Sequence, residues 1–558
     1  MNMMPMKREI DTLSDGKINE ARKIKRIELL EIKEIIKIDD HQGFQKLLAN
    51  NAVDIDMALA LEKGTDCSLL TIACTMGSIK CVKLLLDSGT DTNILSASSG
   101  RTRFDSPFCC ACASGNTELL RLLIERGVKL NDSVLFLGFD CLEQSALQQD
   151  QRQTIAAVLV QYITNIAYEY YGSTFLHRVC SIGGVDNVTT VLERGVDRDG
   201  RGSKYLLGDG GDFFYRDPLE VAAANGHIDI VKLLLEWDRS NPIEMRRVNK
   251  AMIEAAKNGN VEVVKFLIEY GADQQIKALT ESMSYYPSFA VTEYLLDHGA
   301  DVDSSVDGET PLTTLISITR EGDEVKLQIA RLLLARGADR NAINRSGRHI
   351  LVKAAQYGLP AFLQVLLDHK EGPPITIDQL NDTLSISIGR SKGVTRCLLD
   401  HGADVNTTDK YGRTPLLLLC DKHRLGNMMN SNDDYFSIMQ LLLERGADAS
   451  VVCPVSGRTA LLCAGDYGVT FCLALSTLLL EHGADVNQGH ATTGETPLMK
   501  AVLAKRITVV KLYLEYGADV MQVNNEGLTL LDLMGGKPEY TKIAKLCSDH
   551  LNVQPLLK

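Results

Sequence analysis

The chain has 558 residues, of which 59 are basic and 72 acidic, so its formal net charge is −13. This negative charge repels phosphate backbones and leaves little counterion release to drive binding, which argues against nucleic acid as a general partner. No apolar run approaches the ~18 residues that a membrane-spanning helix needs, so membrane insertion is not expected. The 14 cysteines are scattered at helix positions and no apolar secretion stretch follows Met1, so we expect reduced thiols inside the cell.

Residues 1–25 are expected to form a partly disordered N-terminal segment. Its end carries a short basic cluster: Arg22, Lys23, Lys25 and Arg26. The cluster fits a nuclear import signal or an anionic-surface contact, but it also fits the solvated face of a helix that begins at Ile24. We therefore expect a cytoplasmic protein, with the nucleus as the alternative. Residues 26–66 are predicted to form a capping repeat with a polar outer face.

Residues 67–197 carry weak copies of a two-helix unit, in which a leucine-rich second helix ends at a glycine. The stretch 132–167 is the most degenerate of these copies. Its two helices are predicted around Ser145-Ala146-Leu147 and around Ile155–Val160. Next comes an inserted loop, residues 198–216, with three consecutive aromatic residues, Phe213-Phe214-Tyr215. Large rings in a loop favour recognition, unless they fold back onto the helices.

The clearest copies of the unit lie in residues 217–527. The tripeptide Gly-Ala-Asp recurs there seven times, for example at Gly483 and, 34 residues later, at Gly517. Before several first helices a Thr-Pro pair, such as Thr496-Pro497, supplies an N-cap and a favourable first helical residue. One insertion, residues 422–434, lies between the two helices of a unit. Residues 528–558 are expected to form a C-terminal capping repeat and tail.

These motifs resemble the ankyrin repeat family, whose units alternate a first helix of Thr-Pro-Leu-His-x-Ala type with a second helix ending in Gly-Ala-Asp, at a period of 33 residues. The resemblance implies an all-α solenoid of antiparallel helix pairs joined by β-turn or hairpin loops. About fifteen units, some degenerate, would fill the chain from residue 26 onward. Because such a stack grows in one dimension, this length does not require several folds.

The resemblance also implies that partners bind in a concave groove lined by turn tips and first helices. The partner-binding candidates are the residues beside the turn glycines and the aromatic residues of the inserted loop: Arg345, Arg348, Lys410, Tyr411, Arg413, Arg458, Phe213, Phe214 and Tyr215. The basic side chains are expected to follow one edge of the groove and to dock an acidic or phosphorylated protein segment, because a planar arginine fork binds a carboxylate in two places. The alternative is that they are solvated charges.

Three asparagines lie two residues after the aspartate of a Gly-Ala-Asp: Asn341, Asn406 and Asn487. In ankyrin-like repeats this position can be β-hydroxylated by an asparaginyl hydroxylase, so the resemblance implies three candidate modification sites. The alternative is a purely structural role, in which each side chain bonds the turn backbone.

No catalytic residue, metal ligand set or cofactor site is predicted. The sequence lacks a GxSxG motif, an HExxH motif and a P-loop lysine. Cys109-Cys110-Ala111-Cys112 is the nearest approach to a metal cluster. Neighbouring residues on a helix point in different directions, so at most two of these thiols can face one ion, and we interpret them as helix-packing residues.

Together these features predict a non-catalytic, monomeric scaffold or adaptor that binds other proteins. The alternative function is a substrate receptor or regulatory subunit of an enzyme complex such as a ubiquitin ligase. No SOCS-box-like or F-box-like segment is recognisable after Leu528.

Overall fold

The structure is a computed structural model, and it describes residues 34–49, 59–60, 66–93, 106–170, 173–196, 198, 217–237, 242–320, 322–420 and 432–553. Nearly all regular structure in these residues is α-helical, and the helices follow one another in antiparallel pairs. The described strands form two short antiparallel hairpins, Leu59–Ala60 with Asp66–Cys67 and Glu169–Tyr170 with Ser173–Thr174. The all-α repeat architecture predicted from the sequence is confirmed. No helix among the described residues is long and apolar enough to cross a membrane.

The chain divides into two compact units, residues 1–274 and residues 275–558. The first unit contains α1 (His41–Ala49), α2 (Leu69–Thr75), α3 (Ile79–Asp87), α4 (Pro107–Ser114), α5 (Thr117–Glu125), α6 (Asp132–Glu143), α7 (Gln149–Gln161), α8 (Phe175–Ile182), α9 (Val185–Glu193), α10 (Pro218–Ala224), α11 (Ile228–Glu236), α12 (Met245–Lys257) and α13 (Val261–Tyr270). From α2 onward, even-numbered helices are the first helices of the pairs and odd-numbered helices are the second.

The second unit continues the same alternation. It contains α14 (Gln275–Ser282), α15 (Phe289–Asp297), α16 (Pro311–Ile318), α17 (Glu324–Ala335), α18 (Ile350–Gln356), α19 (Pro360–Asp368), α20 (Ile377–Ser387), α21 (Lys392–Asp400), α22 (Pro415–Cys420), α23 (Asn432–Glu444), α24 (Ala460–Ala464), α25 (Val469–Glu481), α26 (Pro497–Leu503), α27 (Ile507–Glu515), α28 (Leu530–Met534), a 3₁₀ turn (Pro538–Tyr540) and α29 (Thr541–Val553). Within each unit, first helices pack on first helices and second helices on second helices.

The helix starts follow from local sequence. The Thr496 hydroxyl accepts a hydrogen bond from the backbone N–H of Met499 at 3.2 Å, and Pro497 occupies the first helical position. Thr310 caps α16 in the same way, and there the capping is reciprocal because the Thr313 hydroxyl accepts from the Thr310 N–H. Each of these two caps satisfies backbone N–H groups that have no partner within the helix.

The core lies between neighbouring helix pairs. Leu333, Leu442 and Leu479, each near the C-terminal end of a second helix, are fully buried, as predicted. Leu512 is only half-buried, and on the same helix Tyr513 fills the core instead. The Tyr513 hydroxyl lies 2.9 Å from the hydroxyl of Ser476 in the preceding pair, so its polar end is satisfied inside the stack.

The prediction for the degenerate repeat was wrong in its first helix. That helix is α6, and Ser145-Ala146-Leu147 lies in the loop that follows it. Asn131 starts α6 early, because its side chain accepts a hydrogen bond from the Val134 N–H at 2.8 Å. Leu147 instead packs beside Gly115, where an added Cβ would lie 2.5 Å from its Cδ2 atom. The predicted second helix, around Ile155–Val160, lies within α7.

Several predictions concern residues outside the described part of the chain. These are the N-terminal segment 1–25, the aromatic residues Phe213, Phe214 and Tyr215, and residues 421–431 of the insertion.

Candidate functional site

The turns that lead into the first helices of the second unit project as closed tips. We call residues 306–309, 343–349, 409–413, 453–458, 490–495 and 524–528 the turn tips. Each is closed by a backbone hydrogen bond, such as Asn344 N–H to Arg348 O at 3.0 Å or Asp409 N–H to Arg413 O at 3.0 Å. The Asp409 carboxylate also accepts the N–H groups of Tyr411 and Arg413. Such Asx bonds hold the tip in one conformation.

Neighbouring tips stack directly on one another where the connections are long. A Cβ added to Gly308 would lie 3.1 Å from the Cβ of Arg345, and one added to Gly412 would lie 2.9 Å from Pro454. Farther along, the Ala491 N–H donates to Gly457 O at 2.7 Å. These contacts form a row of tips along one face of the second unit.

The row is interrupted after the tip at 343–349. Fourteen residues (336–349) connect α17 to α18 and 14 (401–414) connect α21 to α22, but only eight (369–376) connect α19 to α20. The eight residues leave no room for a tip and are tied back, because Arg340 and Asn341 both donate to Pro373 O, at 3.0 and 3.1 Å. Accordingly, a Cβ atom built on Gly347 would have no heavy atom of the described residues within 4 Å beyond its own chain neighbours.

Arg345 and Arg348 lie on the tip next to this interruption. The side chain of Arg345 is 73% exposed, and its Nε is 3.9 Å from the Glu309 carboxylate. Arg348 is also exposed, and one guanidinium nitrogen donates to the neutral Gln356 side chain at 2.8 Å. Both guanidinium groups can therefore reach a bound partner.

Lys410 and Tyr411 lie on the tip beyond the interruption. The Tyr411 ring is half exposed, and the Lys410 ammonium lies 5.0 Å from its centroid. The Arg413 guanidinium approaches the same ring at 5.1 Å, within the range of a cation–π contact. This tip thus presents a cation and an aromatic face together.

Arg413 and Arg458, by contrast, have internal partners. Arg413 is only 15% exposed and bonds the Asp409 carboxylate at 2.8 Å; although burial opposes it, hydrogen bonds from Arg413 hold the pKa of Asp409 below its usual value. Arg458 bonds Asp466 at 2.5 Å, and Lys500 bonds the same carboxylate at 2.7 Å. The predicted row of available basic groups is therefore reduced to Arg348, Lys410 and the largely exposed Arg345, whose pair with Glu309 is long at 3.9 Å. The sequence does not show which tip arginine closely bonds an acid of its own repeat.

The three asparagines join neighbouring repeats through backbone groups. Asn406 donates to Gly446 O at 3.1 Å and accepts from the Asp448 N–H at 2.9 Å. Asn487 makes the same pair of bonds to Gly517 O and the Asp519 N–H, and Asn341 bonds Pro373 O and the ring of His349. This is the structural alternative given above, and hydroxylation stays a prediction.

Sequence reasoning missed His349. Six other first helices of this unit have threonine at the equivalent cap position: Thr310, Thr376, Thr414, Thr459, Thr496 and Thr529. His349 Nδ1 accepts the Leu351 N–H at 3.3 Å, and its Nε2 lies 3.2 Å from Asn341 Oδ1 and 3.0 Å from Gln379 Nε2. Burial lowers the pKa of His349. The replacement of threonine by histidine next to a short connection was the available signal.

A cavity of about 340 Å³ opens at the interruption, between the 343–349 tip and the helices α18 and α20. Its lining comprises Gly347, Arg348, His349, Val352, Gln356, Gln379, Asp382, Thr383 and Ile386. The four residues from α20 have spacings of three and four, which place them on one helix face. The cavity is thus a consequence of the missing tip.

The described residues contain no group of three or more side chains suited to hold a metal ion. Cys109 and Cys112 are buried on α4. Burial raises the pKa of Cys112 well above its usual value, which keeps the thiol protonated. These cysteines pack the first helices.

Stacked helix pairs that carry a row of exposed tips define a helical-repeat protein whose surface serves protein–protein interaction. Family comparison agrees with this class. The model for three ankyrin repeats matches residues 35–134, 70–169, 200–278 and 427–524, and the model for a single ankyrin repeat matches residues 307–345. Because the matches cover more than half of its length, the chain belongs to the ankyrin repeat family.

The chain is also similar to individual known proteins that carry different names. The ankyrin repeat protein YahD of Escherichia coli (strain K12) is 28% identical over 185 residues, which are 31% of this chain and 83% of YahD. The E3 ubiquitin-protein ligase KEG of Arabidopsis thaliana is 22% identical over 75% of this chain but only 22% of KEG. Human ankyrin repeat and SOCS box protein 6 is 27% identical over 48% of this chain and 59% of that protein. The chain therefore spans less than two thirds of the last two proteins.

Proposed function

We propose that the protein is a non-catalytic scaffold or adaptor and that the second unit docks an acidic segment of a partner protein at the interrupted row of tips. The observation that carries the proposal is the set of three cations around the interruption. Within the described residues, Arg348 and Lys410 have no carboxylate partner, and the largely exposed Arg345 has only a 3.9 Å pair with Glu309. Arg413 and Arg458, by contrast, bond carboxylates at 2.8 and 2.5 Å. Exposed cations beside the Tyr411 ring suit acidic side chains and aromatic contacts.

The test begins with affinity purification and mass spectrometry on the full chain to isolate a partner. A triple variant, Arg345→Glu, Arg348→Glu and Lys410→Glu, is expected to bind that partner about tenfold more weakly or worse, with a shallower salt dependence. The matched control reverses three exposed charges on second helices, Arg396→Glu, Lys511→Glu and Lys542→Glu. Equal affinity of the triple variant and the parent chain would contradict the acidic-segment proposal.

A second candidate function is a substrate receptor or regulatory subunit of a ubiquitin ligase complex. It is favoured by the similarity to KEG, which covers 75% of this chain, and by the similarity to a SOCS box protein. Its test uses the same purification: ligase subunits should copurify in stoichiometric amounts. They should remain with the triple variant, because a ligase-docking surface is separate from the substrate-binding tips.

A further inference from the structure

We infer that the cavity at the interrupted row of tips is a pocket for one tyrosine side chain of a bound segment. This inference rests on the proposed function, since it places the tyrosine within the docked acidic segment. The first argument is size. A dry cavity of about 150 Å³ accepts a benzene ring, so about 340 Å³ has room for a phenol ring and its connection to a peptide backbone.

The second argument is charge. The pocket carries one cation, Arg348, and one anion, Asp382. Within the described part of the chain, the Asp382 carboxylate has no hydrogen bond or ion pair, and Arg348 is bonded through its side chain to the neutral Gln356. A charged occupant would be attracted by one group and repelled by the other. A neutral occupant that satisfies both groups is favoured.

Tyrosine meets both requirements. Its hydroxyl can donate to the Asp382 carboxylate, a hydrogen bond to a charged group, and its ring can accept the Arg348 guanidinium as a cation–π partner. The walls formed by Val352, which is half-buried, and Ile386, which is 44% exposed, supply apolar surface for the ring edges. Buried aromatic anchors of this kind dominate the energy of protein interfaces.

The geometry also predicts a discrimination. Phenylalanine would fill the pocket but leave Asp382 desolvated without a donor, so it should bind about tenfold more weakly than tyrosine. Phosphotyrosine carries a charge of about −1.5 to −2, which Asp382 repels. Phosphorylation of the segment would therefore weaken this contact, even though its flanking acids still meet Arg345 and Lys410.

The test uses the full chain and five fluorescent acidic pentapeptides that differ only at the central residue: tyrosine, phenylalanine, leucine, phosphotyrosine or arginine. Fluorescence polarisation should rank tyrosine first. Ile386→Arg, which fills the pocket from an exposed helix position, should remove the preference for tyrosine. The control Val325→Arg, at a similarly exposed site on α17, should leave it intact.

Asp382→Asn supplies a second readout, the ratio of two peptide affinities measured on the same variant, which a partly unfolded sample does not change. It should raise the affinity of the phosphotyrosine peptide relative to the tyrosine peptide, because it removes the repelling charge. Equal binding of all five peptides, or a preference for tyrosine that survives Ile386→Arg, overturns the pocket and leaves the acidic-segment proposal standing. If none of the five peptides binds, both proposals are overturned.

Discussion

The tips at 453–458 and 490–495 and the tip at 343–349 each contain a glycine with φ near +70° but have different neighbours. Gly494 and Gly347 both have φ of +70°. At Gly494 the next tip is so close that an added Cβ would lie 2.7 Å from the backbone N of Asn525, whereas Gly347 has open space. The length of the connection between helix pairs therefore decides which side chains are accessible. Where a tip is missing, side chains that would otherwise be covered line a cavity.

The largest expected effect tests whether the two regions share the same core. Leu363 beneath the interruption and Leu479 beneath the stacked tips are both fully buried. Replacing either by alanine is expected to destabilise the second unit by ~2–5 kcal/mol, since each leaves a cavity in a closely packed stack. Urea unfolding and hydrogen exchange would measure this. Leu503→Ala, at an exposed position, is the control.

The exchange data also test how far the damage spreads. In a stack that is held together by neighbouring pairs, faster exchange after Leu479→Ala should be strongest in α23 to α27 and should fade with distance. If Leu363→Ala destabilised the unit far less than Leu479→Ala, the interruption would extend into the core, and the two regions would not share the same core.

The second prediction concerns the tips themselves. Gly347→Ala should cost about 1–2 kcal/mol, the penalty for a side chain in the left-handed region. Gly494→Ala should cost about 1–3 kcal/mol more, because its new methyl group meets the Asn525 backbone. Thermal unfolding of both variants measures the difference. Equal losses would show that the tip row gains nothing from close stacking.

Much of this could be predicted from sequence, because repetition multiplies a weak local signal. The Thr496-Pro497 start and the glycine stop at Gly517 are each common features, but their recurrence at similar spacing specifies the unit. Where the signal did not repeat, prediction failed. Among the first helices that the structure describes, only α6 begins at an asparagine cap, Asn131, and the helix was placed too late, at Ser145-Ala146-Leu147.

The candidate site was harder to predict, because it depends on contacts between side chains rather than on spacing. Arg413 and Arg348 occupy equivalent positions beside a turn glycine, yet one tip has Asp409 and the other has Asn344 at the residue that faces the arginine. A carboxylate there captures the guanidinium, and an amide does not. In the sequence, the sign of the cavity is that the connection between α19 and α20 is six residues shorter than its counterparts. Recognising this requires the repeats to be aligned.

The third prediction uses pH to distinguish the two kinds of tip. Burial lowers the pKa of His349 in the folded state, and protonation of Nδ1 would also break its bond from the Leu351 N–H. A nearby carboxylate, Asp339, favours the charged ring but does not outweigh burial. Stability from neutral His349 is therefore present above the unfolded pKa of about 6.5 and is lost as the pH falls below it.

The variant His349→Thr restores the cap residue of the other tips and should remove this pH dependence. We expect the unfolding temperature of the parent chain to fall more than that of the variant between pH 8 and about 5.5, by a few degrees at most. Parallel temperature shifts in the two proteins would mean that His349 does not titrate in this range.

The smallest expected effect asks whether the interruption is confined to the tips. Ion pairs link the ends of successive second helices: Asp297 with Arg336 at 2.7 Å and Asp400 with Arg445 at 2.7 Å. At the interruption the equivalent pair is Asp368 with His401 Nε2 at 3.2 Å, so the series continues with an imidazole in place of a guanidinium. Arg445→Ala should cost at most about 1 kcal/mol, because both groups are partly exposed, and the loss should shrink in high salt. His401→Ala should cost less than that, because its contact with Asp368 is longer than the Arg445 contact with Asp400. A large loss from His401→Ala would show that the short connection between α19 and α20 depends on support from the second helices as well.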